Sequence, residues 1–173
     1  MRLFHISDND NIEVFQPRLP RRDDLEKDIA MVWAVDEASM PFLLTPRDCP
    51  RVVYRAGKRA TQEDKDAYFP SPDVSFVVAI ERAWLPRLES ATLYVYEFDT
   101  ADFTLQDEVA GYYTARTAQV PKAKYVIKDI PAALRARKVQ LQVMDNLWEL
   151  ADRIQTTSLD WLLARMRLAQ PRK

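Results

Sequence analysis

Glycine, histidine and cysteine are nearly missing from this chain, at two, one and one among 173 residues. Gly57 and Gly111 stand alone. That excludes the P-loop and the dinucleotide fingerprint, both of which need clustered backbone N–H groups at a helix start. The single cysteine, Cys49, cannot close an internal disulfide. A catalytic zinc generally needs three protein ligands, and His5, Cys49 and scattered carboxylates do not assemble such a set, so no metal is expected. The start Met-Arg-Leu-Phe-His-Ile-Ser-Asp lacks a signal-like apolar run, and no stretch approaches the ~20 apolar residues of a membrane span. A cytoplasmic protein with no membrane partner is the expectation. Charge of one sign is also lacking: 25 basic residues face 26 acidic ones, so no overall field gathers nucleic acid.

What is present is a length suited to one domain over 1–173, able to hide roughly 70% of its unfolded-state surface without staples. Arginines concentrate in the first third, at Arg18, Arg21, Arg22, Arg47, Arg51, Arg55 and Arg59, with Lys58. They allow a basic groove, so nucleic-acid binding stays open, while the interleaved Asp23, Asp24, Glu26 and Asp28 read equally as a solvated surface.

Leu3-Phe4-His5-Ile6-Ser7 reads as a strand, followed by an Asx turn capping a short helical piece over 12–15. Residues 16–28 form a proline-punctuated loop. Apolar or alternating runs predict strands at 30–35, 51–55, 74–80, 92–98, 112–115, 124–127 and 139–143. A short helix interrupted at Pro41 is expected over 37–44, and another around Pro86 over 82–88. Thr61 caps a helix to Tyr68 and Asp129 caps one over 130–135. Leu147, Leu150, Ala151 and Ile154, then Leu159, Leu162, Leu163 and Met166, recur at helical spacing, with Asp145 and Ser158 as caps. The reading is α+β: a mixed, mostly antiparallel sheet with short helices and a helical C-terminus.

Strand alternation sets Leu3, His5 and Ser7 on one face and Phe4 and Ile6 on the other. His5 and Ser7 can then line a cleft, a neutral imidazole hydrogen-bonding a substrate hydroxyl. The competing view is a histidine satisfied by backbone. Trp33 and Tyr54 offer flat walls for a base or nicotinamide ring, or are core. In Pro46-Arg47-Asp48-Cys49-Pro50-Arg51, Arg47 suits a phosphate or carboxylate, Asp48 can hold that guanidinium, and Cys49 is a nucleophile only beside a base such as His5. A general acid or base near Gly111-Tyr112-Tyr113 has to be Glu108, Glu97 or a tyrosine.

Leu3-Phe4-His5-Ile6-Ser7, Phe15-Gln16-Pro17-Arg18, Val32-Trp33-Ala34-Val35-Asp36-Glu37, the 46–51 segment and Gly111-Tyr112-Tyr113 together resemble a family of small uncharacterised bacterial proteins, nearly to full length. More distantly the chain resembles ADP-ribosyltransferase-like proteins. That resemblance implies an ADP-ribosyltransferase-like fold and NAD as ligand. It assigns His5, with Ser7 on its face, to the nicotinamide ribose, and Trp33 or Tyr54 to the nicotinamide ring. Arg47 or Arg51 would balance the pyrophosphate. The family's late acidic residue, before Val-Pro, is replaced by Thr117, and Glu108 is the substitute. The functional expectation is a nucleotide-binding protein acting at the nicotinamide–ribose bond. Its alternatives are a non-enzymatic nucleotide-binding or regulatory protein and a nucleic-acid-binding protein.

Overall fold

Eight of the ten strands among the described residues begin or end within two residues of an apolar or alternating run legible in the sequence, because β-branched and aromatic side chains suit a pleated, half-buried surface. The computed structural model describes residues 1–20 and 28–173; residues 21–27 of the expected charged loop, with Arg21 and Arg22, lie outside the described residues. In chain order the elements are β1 (Leu3–Ser7), β2 (Val32–Asp36), β3 (Arg51–Arg55), α1 (Gln62–Tyr68), β4 (Phe76–Glu81), α2 (Leu85–Ser90), β5 (Leu93–Phe98), β6 (Thr104–Asp107), β7 (Tyr112–Ala115), β8 (Ala123–Ile127), α3 (Ile130–Ala136), β9 (Val139–Met144), α4 (Trp148–Ile154) and β10 (Asp160–Ala164). Short 3-10 turns occupy Met40–Leu43, Arg82–Trp84 and Met166–Leu168. The fold is α+β, with mostly antiparallel pairing and short helices. No helix among the described residues is long and apolar enough to cross a membrane.

The chain packs as two compact units, each made of two stretches. Unit 1 comprises Met1–Met40 and Leu93–Ile127. Its six-stranded sheet has the order β6-β7-β2-β1-β5-β8 and every pair is antiparallel. One face is covered by Phe15 and Phe103, which pack with Leu3, Val32, Ala34, Tyr96, Phe98 and Ala115. Residues 12–15 are not helical. The N–H groups that would begin such a helix are taken by side chains, Asn11's by Asn9 Oδ1 and Ile12's by the Tyr96 hydroxyl. Phe15 instead bridges to Gln119 through both backbone groups.

Unit 2 comprises Pro41–Thr92 and Lys128–Lys173. Its sheet has the order β10-β3-β4-β9, with β4 and β9 parallel. Leu147, Leu150, Ala151 and Ile154 of the α4 region pack on Val52 and Tyr54 of β3 and Val77 and Ala79 of β4, as their helical spacing implies. Thr61 accepts from Asp64 N at the start of α1, and Asp129 accepts from Ala132 N at the start of α3.

The expected helical C-terminus is corrected: Asp160–Ala164 is a strand, paired antiparallel over five residues with β3. Chain direction is broken beforehand, where the hydroxyls of Thr156 and Thr157 donate to the carbonyls of Arg153 and Ile154. The next residues then complete the edge of β3, and ladder hydrogen bonds outweigh a weak helical spacing. Two caps also differ. Asn146, not Asp145, accepts from Trp148 N, while Asp145 pairs with Arg82. Ser158 bonds Asp64 and Thr61.

Candidate functional site

β1 pairs with β2 only at Leu3–Asp36 and Phe4–Val35. At the next position the side chain takes over: His5 Nδ1 lies 2.9 Å from the Trp33 carbonyl oxygen. A carbonyl has no proton, so Nδ1 carries the hydrogen, and in the neutral ring Nε2 is the acceptor. The half-buried imidazole also meets the Phe15 ring, centroids 4.8 Å apart. The hydrogen bond to Trp33 selects the tautomer, and it and the Phe15 contact help orient the ring.

Phe15 links this histidine to a second polar group. Its backbone pairs with Gln119, a buried residue whose side-chain amide donates to Asp102 Oδ2 at 3.2 Å and to Thr117 Oγ1 at 2.9 Å. Thr117 Oγ1 in turn donates to the same Asp102 oxygen at 3.3 Å. An exposed carboxylate is thus held by two neutral donors. Sequence reasoning missed Asp102 and Phe15. The signal for Asp102 lay in the β6–β7 hairpin: pairing Thr104 with Thr114 folds residue 102 back beside 116 and 117.

The other expected residues fall elsewhere. Trp33 is in unit 1, but its ring meets Tyr112 edge-on at 5.7 Å. It lies on the sheet face opposite His5, because Val32 and Ala34, which alternate with it, share the core face with Leu3 and Phe15. Ser7 is buried and its hydroxyl accepts from Asn9 N, closing the turn after β1. Glu108 is exposed in the β6–β7 turn, with β2 and β7 between it and β1, a lateral distance of roughly 10 Å or more.

Arg47, Arg51 and Tyr54 belong to unit 2. Arg47 is exposed, and Asp48, expected to hold it, pairs with Arg165 at 3.4 Å. Arg51 is buried and donates to the carbonyls of Phe42 and Cys49, pinning the 42–51 segment. Tyr54 is a core residue: it is 2% exposed, donates to the Tyr68 carbonyl, and burial pushes its phenol up to about 12. Cys49 is fully buried and desolvation raises its thiol to about 12, which removes the thiolate that a nucleophile needs.

Glu97, the other carboxylate considered in sequence, is buried on β5. Arg2 donates to both its oxygens, at 3.0 and 2.8 Å. That contact holds its pKa down to about 2 against the opposing effect of burial, with the Tyr125 hydroxyl in support. A carboxylate so firmly ionised anchors charge and does not shuttle protons near neutrality. Among the described residues, no three His, Cys, Asp or Glu side chains gather as a metal site.

The model of a family described as being of unknown function, DUF6886, matches residues 4–169, and the chain belongs to that family. No curated protein and no solved structure matches it.

Proposed function

We propose that unit 1 binds a nucleotide across the face carrying His5, Phe15 and Asp102, with NAD as the ligand and the nicotinamide–ribose bond as the site of action. The observation that carries the reading is the Asp102 carboxylate held by Thr117 and Gln119. The resemblance expects a late acid in the segment where Thr117 stands, and Asp102 brings one to that threonine from the turn before β6. His5, its tautomer set by the Trp33 carbonyl, offers a hydrogen bond to a ribose hydroxyl without adding charge. Phe15 replaces Trp33 and Tyr54 as the aromatic neighbour. Arg18 and Arg116, both exposed, supply cations from the same chain segments as Phe15 and Thr117.

In this reading Asp102 stabilises the positive charge that develops at the ribose as nicotinamide leaves, by electrostatic attraction across a short distance. Calorimetric titration with NAD tests it. Binding heat should be lost in His5→Ala, and nicotinamide release should fall in Asp102→Asn while binding persists. Unchanged NAD heat in His5→Ala, or no heat with the wild-type chain, refutes the site. The replacement of the family's late acid by Thr117 favours a second reading, a binder without turnover. NAD heat with no nicotinamide released identifies that case. Heat with short RNA that vanishes on adding salt identifies nucleic-acid binding instead.

A further inference from the structure

Unit 2 contains a short stretch of chain whose backbone is held almost wholly by side chains. The Gln170 N–H donates to both oxygens of Glu81, at 2.9 and 3.1 Å. The Gln170 carbonyl accepts from Trp148 Nε1 at 2.8 Å. Pro171 has no N–H to satisfy, and its carbonyl accepts from Asn146 Nδ2 at 2.9 Å. Every backbone donor and acceptor from the Gln170 amide to the Pro171 carbonyl therefore has a side-chain partner, and no strand ladder takes part.

The next residue adds a charged anchor. Arg172 forms a two-point contact with Asp152, at 2.6 and 2.9 Å, and its guanidinium lies 4.2 Å from the Trp148 ring centroid. A planar guanidinium on a carboxylate and an indole is a selective arrangement that lysine does not reproduce. Glu81 is 1% exposed, so its carboxylate sits in the body of the unit, with the Gln170 amide donating to it. Residues 170–173 themselves are exposed. They bury little apolar surface, and few contacts other than these polar ones oppose their release. A cavity of about 620 Å³ adjoins them, bordered by Glu81, Arg82 and Asp145.

Side chains that read the backbone of an extended proline-containing segment, with one specific pocket for the following arginine, are how peptide grooves work. We propose that Glu81, Asn146, Trp148 and Asp152 form a groove for an extended Pro-Arg segment, held in cis by Gln170–Arg172 and open in trans to a partner presenting the same Pro-Arg chemistry. The cis segment acts as a tethered competitor, its effective concentration in the millimolar range. Weakening it uncovers the groove.

A labelled peptide with the sequence of residues 167–173 tests this by fluorescence anisotropy against the full-length chain. Arg172→Ala loosens the cis segment and should bind the peptide about tenfold more tightly than wild type. In that background a peptide with alanine in place of the arginine after its proline should bind about tenfold more weakly, and Trp148→Phe, which keeps a ring but removes the N–H, should weaken the intact peptide severalfold. Equal affinity of wild type and Arg172→Ala, or of the two peptides, overturns the proposal. Growth of a dimer with concentration in Arg172→Ala, without peptide binding, also overturns it, since the segment then exchanges between copies. A second measurement avoids the variants altogether. Excess peptide should speed hydrogen exchange at the Gln170 amide of the wild-type chain about fivefold, and unchanged exchange rejects displacement.

Discussion

The Nδ1–H of His5 donates to the Trp33 carbonyl at the position where β1 and β2 cease to pair through their backbones. A side chain there extends a sheet contact by one residue, which couples the candidate site to the stability of unit 1. His5→Ala leaves the carbonyl without that donor and removes the ring packed on Phe15. We expect a loss of about 1–3 kcal/mol in urea unfolding, with the m-value unchanged. A shift in midpoint too small to measure would show that the bond is incidental.

Glu97 predicts an acid-sensitive contribution to stability. Its folded pKa, about 2, lies below the ordinary 4.5. A depressed carboxylate stabilises the fold above its unfolded pKa, and that contribution is lost as pH falls through the window from about 4.5 to about 2. Glu97→Gln should cost on the order of 2 kcal/mol at pH 7, from the charge-assisted bonds to Arg2. The gap between variant and wild type should close towards pH 2. A gap that stays constant between pH 7 and pH 2 contradicts this account.

Cys49 should be inert in the native protein. It is fully buried and its thiol is raised to about 12, chiefly by desolvation. Labelling by a disulfide reagent at pH 8 should follow the unfolding rate and become immediate in denaturant. Rapid stoichiometric labelling of the folded chain would contradict both burial and pKa.

Gly111→Ala should be strongly destabilising. Gly111 has φ of +66°, and a Cβ built there lies 2.2 Å from Ser39 Oγ. Both backbone strain and a clash oppose any side chain, so a cost of about 2–4 kcal/mol is expected in thermal or urea unfolding. Adding Ser39→Ala removes only the Oγ contact and should recover only part of that loss, because the residue 39 Cβ at 2.6 Å, Asp36 Oδ2 at 2.8 Å and the conformational cost of positive φ all remain.

Much of the architecture was open to local reasoning. Arg51-Val52-Val53-Tyr54-Arg55 could be little but a strand, and Thr61 and Asp129 cap helices where their side chains reach a free N–H three residues on. The segment from Leu159 to Met166 misled because eight residues carry too little periodicity to separate helix from strand, and the open edge of β3 decided the matter. The candidate site was legible at His5 and Thr117, and not at Phe15 or Asp102. Sheet alternation could place Trp33 on a face, but only pairing with β1 showed that this face is not the one His5 shares with Phe15.

Two isolated glycines and a lone cysteine ruled out glycine-rich phosphate loops and an internal disulfide before any folding was considered, because those features need particular residues that the chain does not carry. Which of the remaining polar groups meet was another matter. Asp102 reached Thr117 and Gln119 through a hairpin register, and Glu81 reached the Gln170 amide across 89 positions of chain. Such encounters depend on strand pairing and packing between distant segments, whose energies are collective and leave no mark at either residue alone.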